Sequence, residues 1–287
     1  MTTDERNIIV NRIRETVIDA GSTFSADKFT CYREAGADED TELSKWAMET
    51  IVDNAMIAQR DRSPLCDDTG IPHVIIEIGR DRSISGEFLD AVYEGVMEGL
   101  RNLPGRPMAI KGNDTERISQ SGGLDERSEA VCPAPLMLEK SKEADRLKVT
   151  ILMQGGGPEI RAKTYRVFHK HSMDAVIDEI VSWAEEAVGQ LGCSPCTLAV
   201  GIGRSHYEAS SLMLQAMQEG DYGVQSEYEK RITERVNETG VGALGLGGRH
   251  SVIATFLKVG PQRASGVRIV CMRPCCCFEP RKARAEL

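Results

Sequence analysis

The chain has 287 residues, 41% of them apolar and 28% charged, a globular composition long enough to bury a sizeable core and unlike that of a disordered segment. Its net charge of -9 argues against nucleic acid or an anionic membrane as the main partner, while an anionic substrate can still sit in a local cationic pocket. No stretch approaches the roughly 18 consecutive apolar residues of a membrane span. The opening "MTTDERNIIVNRIRETV" is charged where an export signal has its apolar core, so a cytoplasmic protein is expected.

Ile8, Ile9, Ile13, Val17 and Ile18 recur at helical spacing and predict a helix over 4–20, stopped by Gly21. A second helix is expected over 40–60, with Leu43, Trp46, Ala47, Ile51, Ala55 and Met56 as its apolar stripe. "HVIIEIG" reads as a buried strand, and 87–102 as a helix with Phe88, Val92, Val96 and Leu100 on one side. Over 104–123, "PGRPMAIKGNDTERISQSGG", the pattern gives way to a long polar loop, the kind that is functional or disordered in a compact domain. "RLKVTILM" is then a strand running into "QGGGPEI", and 173–191 a helix with Val176, Ile177, Ile180, Ala184, Ala187 and Leu191 facing inward. "TLAVGIG" predicts a strand, "SHYEASSLMLQAMQ" a helix, and "HSVIATFLKVG" and "GVRIV" two more strands. There is no internal repeat and no Ser/Gly or Pro linker. The alternation predicts an α/β (mixed α+β) fold, mixed sheets flanked by helices, as one compact unit with two lobes over 1–287.

Three glycine-rich turns are each expected to follow a strand: Gly155, Gly156 and Gly157; Gly201 to Gly203; and "GLGG" at 245–248. Such turns offer amide donors to an anion, but none fits a dinucleotide fingerprint or a phosphate loop, and each alone is as well explained by a tight turn. The nine cysteines are more specific. An odd number in a long chain without an export signal points to a reducing compartment, where clustered thiols mean metal or redox chemistry. Cys31 and Cys132 stand alone and are expected as inert core residues. "CSPC" and "CMRPCCC" leave two readings open. One is a four-thiolate structural zinc site. The other is an iron–sulfur cluster held by one cysteine from each of three regions, with one iron open as a Lewis acid.

"LCDDTG", "QGGGPE", "CSPCTLAVGIG", "GALGLGGRHSV" and "CFEPRKA" come in an order that resembles the class I iron–sulfur hydro-lyases, the oxygen-sensitive fumarases and L-tartrate dehydratases. The resemblance covers about residues 8–285 and is to the α subunit, the N-terminal half of that family. It implies a [4Fe-4S] cluster on Cys66, Cys193 and Cys277, with Cys275 or Cys276 in place of Cys277 if the register slips. It also implies Asp68 as the substrate-side carboxylate. The implied reaction is reversible dehydration of a small 2-hydroxy dicarboxylate, malate/fumarate type first and tartrate next. The open iron would bind the C2 hydroxyl and its carboxylate, a base would take the C3 proton, and cations would hold the far carboxylate. Much of that clamp lies in a C-terminal domain absent from the chain, so a separate β subunit is implied, in a homodimer or heterotetramer.

Several positions depart from the family's pattern. Asp67 stands where Gln is usual, adding a negative charge beside the cluster; "KGNDTERIS", "GGGPEIR" and "GIGRS" replace its substrate-side motifs. Candidate cations are Arg106, Lys111, Arg117, Arg161, Lys163 and Arg204, with Lys111 and Arg161 favoured. His73, His206 and His250 lie near motifs, His250 being the one assigned to the substrate site. The alternatives are a non-catalytic or regulatory relative that retains an iron–sulfur or zinc site, and an unrelated α/β binding protein with structural cysteines.

Overall fold

Most helix starts carry a side-chain cap written in the sequence. Thr2 accepts from the Glu5 amide, and Glu5 reaches back to the Thr2 amide, a capping box that starts α1 (Thr3–Ser22). The computed structural model describes residues 1–103 and 105–287, so Pro104, where the polar loop is expected to begin, lies outside the described residues. The next elements are α2 (Ala26–Asp38), α3 (Glu42–Asp61), β1 (Ile71–Ile78), α4 (Gly86–Asn102), α5 (Asp114–Ser119), β2 (Met137–Lys140) and β3 (Leu147–Gln154). They are followed by the one-turn α6 (Gly156–Glu159), β4 (Lys163–Phe168), α7 (Met173–Leu191), β5 (Cys196–Gly203) and α8 (His206–Glu219). Last come α9 (Glu227–Asn237), β6 (Val252–Val259), β7 (Val267–Cys275) and β8 (Arg281–Glu286). The fold is mixed α/β, as the alternation predicts. No helix among the described residues is long and apolar enough to cross a membrane.

The chain divides into two compact units. The first comprises Met1–Thr23, Ala55–Gly156 and Arg281–Leu287, and the second Phe24–Asn54 and Gly157–Pro280. In the first, the sheet order is β2-β1-β3-β8, with β1 parallel to β2 and the other pairs antiparallel. Ile13 and Val17 of α1 and Phe88, Val92, Val96 and Leu100 of α4 pack on Val74, Ile76, Val149 and Ile151 of the sheet. The two helices cross closely because α4 has Gly95 and Gly99 on the shared face. A Cβ on Gly99 would lie 2.5 Å from Val17 Cβ, and one on Gly95 2.7 Å from Ile13 Cβ. In the second unit the order is β4-β7-β5-β6, where only β5 and β6 are parallel. Its core joins Val176, Ile180 and Val188 of α7 to Leu198 and Val200 of β5, Val252 of β6 and Met272 of β7.

Several expectations are corrected. Gly21 lies inside α1, which runs on to Ser22. On α3 the buried face is Ala47, Met48, Ile51, Val52, Ala55 and Ala58, while Leu43, Trp46 and Met56 are about half exposed. The polar loop contains α5, started by a capping box between Asn113 and Glu116. Elements α2, β2, β4, α9 and β8 appear where periodicity showed none. Each buries few apolar side chains: α9 buries only Ile232 and Val236, and α2 buries Lys28, Tyr32 and Ala35.

Because the α1–α4 crossing leaves no room for a side chain, Gly99→Val is expected to destabilise the fold by about 1–3 kcal/mol through overpacking. Gly86→Ala, whose added Cβ meets open space, serves as the neutral control. Thermal melts of the two variants against the parent chain are the check, and an unchanged melt for Gly99→Val would contradict the crossing.

Candidate active site

In the first unit the loop 64–70 is built around Asp68. Leu65 is buried and donates its amide to the Gly21 carbonyl at 2.9 Å, which pins the start of the loop. The Asp67 carboxylate accepts from the Asp68 amide (2.9 Å) and from the Cys66 thiol (3.4 Å). The Asp67 carbonyl accepts from Thr69 N (3.1 Å) and Arg106 N (3.0 Å), which turns the chain back on itself. Gly70 has φ +90°, and a Cβ there would meet the Gln154 carbonyl at 2.5 Å and Arg281 Nη2 at 2.8 Å. That bare position lets the buried Arg281 guanidinium reach past and donate to the Asp68 carbonyl at 2.8 Å.

The two carboxylates differ in environment. The Asp67 side chain is 73% exposed, that of Asp68 16%. Asp68 Oδ2 accepts from the Gly156 amide at 2.9 Å, while Oδ1 is buried and accepts no hydrogen bond among the described residues. A buried carboxylate oxygen without a donor is costly to keep. The Arg106 guanidinium stands 3.8 Å from Asp67 and 3.7 Å from Asp68 Oδ2, so it already faces both acids. Burial raises the Cys66 thiol above its usual range, against the Asp68 amide and the Arg281 charge. Cys66 is half-buried and, like the other eight cysteines, unbridged.

In the second unit two cysteine segments are tied together. Cys277 donates its amide to the Cys193 carbonyl at 2.8 Å. Cys277 is buried and Cys193 exposed. The Ser194 hydroxyl anchors its segment on the Gly242 carbonyl (2.5 Å) and the Gly245 amide (3.2 Å). The fully buried Arg273 pairs with the equally buried Glu279, with Glu159 at 3.1 Å and with Cys275 Sγ at 3.5 Å, fixing the end of "CMRPCCCFE". Cys271 and Cys275 lie on β7 four residues apart, roughly 13 Å along an extended strand. Two sulfurs held about 2.3 Å from one zinc cannot span that separation, so the zinc reading that uses both thiols fails. Among the described residues, no three Cys, His, Asp or Glu side chains are grouped so as to hold a metal ion. Cys132 is exposed rather than a core thiol, and Cys31 is half-buried.

The remaining expected residues are placed as follows. Of the glycine turn 155–157, the Gly156 amide serves the internal Asp68 carboxylate, and the Gly157 carbonyl accepts from Arg161 at 2.9 Å. Arg161 also donates to the Gln190 carbonyl at 2.7 Å. It lines a cavity of about 300 Å³ with Lys163, Trp183 and Glu186. Lys111 is exposed, its amide bonded to the Gly123 carbonyl at 2.9 Å. "GLGG" precedes β6 instead of following a strand. It wraps buried Glu39, which accepts from the amides of Arg249 (2.8 Å) and His250 (3.0 Å), while His250 Nε2 lies 3.2 Å from Asp38. The anion expected of that loop is thus a side chain of the protein. Arg204 pairs with Glu208 at 2.6 Å and Arg117 with Asp114. Sequence reasoning missed Lys28, a fully buried lysine on α2 whose ammonium burial pulls down to about 8 against the pull of Cys276, Cys277, Cys275 and Glu279. Its signal, a helical stripe Lys28–Tyr32–Ala35, is hidden because a lysine fills an apolar slot.

The family described as fumarate hydratase (Fumerase) matches residues 10–286. The chain is similar to a putative L(+)-tartrate dehydratase subunit alpha of Methanocaldococcus jannaschii, 24% identical, with 96% of this chain and 95% of the relative covered. It is similar to the L(+)-tartrate dehydratase subunit alpha of Escherichia coli (strain K12), 22% identical over 96% of this chain and 91% of that one. A putative fumarate hydratase class I of Geobacillus stearothermophilus is 23% identical, over 75% of this chain and 42% of its own length.

Thiol exposure orders the reactivity of the metal-free chain. Exposed Cys132 and Cys193 are expected to alkylate first and half-buried Cys66 more slowly. Cys196, pushed well above its usual range by burial, and Cys275, pushed up to about 12 by the same cause, are expected last. Timed alkylation read by peptide mass spectrometry checks the order, and a protected Cys193 would contradict it.

Proposed function

The chain belongs to the fumarate hydratase (Fumerase) family, and on that premise we propose that it is the α subunit of an iron–sulfur hydro-lyase that reversibly dehydrates a small 2-hydroxy dicarboxylate of the malate or tartrate kind. The observation that carries the reading is Asp68 Oδ1, a buried acceptor without a donor, two residues from an unbridged half-buried thiol. The proposed cluster ligands are Cys66, Cys193 and Cys277. Soft thiol donors of this kind suit iron. When bound, such a cluster supplies a Lewis-acidic iron that polarises the leaving hydroxyl.

The protein's own groups do the rest of the work assigned to this chain. Gly156 holds one oxygen of Asp68, leaving Oδ1 to accept a hydrogen bond from the substrate. Arg106, more than half exposed, is a cation that a substrate carboxylate can share with Asp67 and Asp68. In dehydration the C3 proton passes to a base and the C2 hydroxyl leaves as water. We assign that base and the rest of the cationic clamp to a β subunit. Two full-length relatives carry the designation subunit alpha, and the Geobacillus relative is much longer than the stretch it shares with this chain. Nine unbridged thiols fit the reducing cytoplasm.

Asp67 favours a second reading, a relative that keeps the metal site without turnover. It adds a second carboxylate beside Arg106, where an anionic substrate would have to compete.

Anaerobic reconstitution with ferrous iron and sulfide is expected to give a brown chain that bleaches in air, and Cys66→Ser, Cys193→Ser and Cys277→Ser each to abolish the colour. Full iron retention in any one removes that residue from the ligand set. Assayed with its β subunit, Asp68→Asn should keep the iron and lose kcat by about 10²-fold or more. Asp67→Gln should lower KM for a dicarboxylate by removing a like charge. Absence of any hydration or dehydration in the reconstituted complex would decide for the second reading.

A further inference from the structure

Helix α2 buries two polar side chains one turn apart, Lys28 and Tyr32, 1% and 0% exposed. The Tyr32 hydroxyl lies 2.7 Å from the Cys277 carbonyl oxygen and 3.1 Å from that of Pro195. The Lys28 ammonium donates to the Glu279 carbonyl at 3.0 Å and stands 4.0 Å from the centroid of the Phe24 ring. One helical face therefore grips both segments that carry Cys193 and Cys277, already joined by the Cys277 amide.

Tyr32 fits a purely structural account, since a hydroxyl between two carbonyls satisfies itself. Lys28 does not. Among the described residues no carboxylate pairs with its ammonium, and one backbone carbonyl with the rings of Phe24 and Tyr32 compensates a buried charge only in part. A glutamine would serve the same carbonyl without that burden. The acidic groups that act on its charge are the thiols of Cys276, Cys277 and Cys275 together with the Glu279 carboxylate, all on the segment whose Glu279 carbonyl it holds.

We propose that Lys28 is a positioning residue for the metal–thiolate centre, its buried ammonium offsetting the negative charge that the Cys277 segment gathers, while Tyr32 fixes the backbone that carries Cys277. The inference rests on the reading of Cys193 and Cys277 as ligands. A positive charge beside a thiolate-bound cluster favours the reduced state, which carries one more electron.

The test uses the full chain reconstituted with ferrous iron and sulfide, with iron content and reduction potential measured for the parent, Lys28→Met, Lys28→Gln, Lys28→Arg and Tyr32→Phe. Lys28→Met and Lys28→Gln are expected to shift the potential to more negative values and to lose iron faster to a chelator. Lys28→Arg should stay near the parent, and Tyr32→Phe should weaken iron retention with the potential unmoved. If Lys28→Met fails to fold by circular dichroism, Lys28→Gln, which keeps a donor for the Glu279 carbonyl, decides alone. Equal potentials for the parent and the uncharged variants, with Cys277→Ser still devoid of iron, would overturn the role of Lys28 and leave the ligand set standing. Full iron in Cys277→Ser would overturn both.

Discussion

One hydrogen bond organises the chemistry of the first unit: the donation from the buried Arg281 guanidinium to the Asp68 carbonyl. It needs Gly70 to be bare, because a Cβ there would collide with both the guanidinium and the Gln154 carbonyl. It sets Asp68 where its carboxylate takes the Gly156 amide on one oxygen and keeps the other buried and unserved. Remove the arginine and the loop loses the donor to a partly buried carbonyl, a deficit comparable to a lost hydrogen bond. The basic pair that follows "CFEP" is therefore a brace, at least in its first member, rather than a free cation for substrate.

The second unit solves a related problem with different means. Its cysteine segments contain backbone that neither helix nor strand satisfies, and buried side chains supply the missing partners: Tyr32, Lys28 and Ser194 on carbonyls, Arg273 on Glu279. The glycine loop before β6 works in the same way, its amides spent on Glu39. In two turns that look ready for an external anion, the amides of Gly156, Arg249 and His250 are taken by the protein's own carboxylates. The arrangement stiffens the segments through polar contacts where the apolar core does not extend.

Elements that bury long apolar stripes were legible from sequence: α1, α4, α7, β3 and β5 fall close to where periodicity places them. The face of α3 was legible only in part: Ala47, Ile51 and Ala55 are buried as expected, while the larger Leu43, Trp46 and Met56 face out and Met48, Val52 and Ala58 take their place. Size misleads when a helix packs closely. Elements β4 and β8 stayed hidden because an edge strand with charged residues shows no clean alternation. The motif cysteines stood out, and only the strand geometry of β7 separated Cys271 and Cys275 as a zinc pair. What sequence could not show was occupancy of charge: that His250 faces Asp38, that Arg161 is spent on carbonyls, and that Lys28 is inside.

The Arg281 brace also has a timing. It joins residues 213 positions apart, and β8, which carries it, completes one edge of the sheet that contains β1 and β3. During synthesis the thiol at Cys66 emerges long before the strand that shapes its surroundings. Until Arg281 has left the ribosome, the loop has its cysteine and its two acids but not its architecture. A contact of such long sequence separation forms late, after a large loop-closure cost has been met. The order of translation thus withholds the finished Asp68 loop from the nascent chain until β8 has been made.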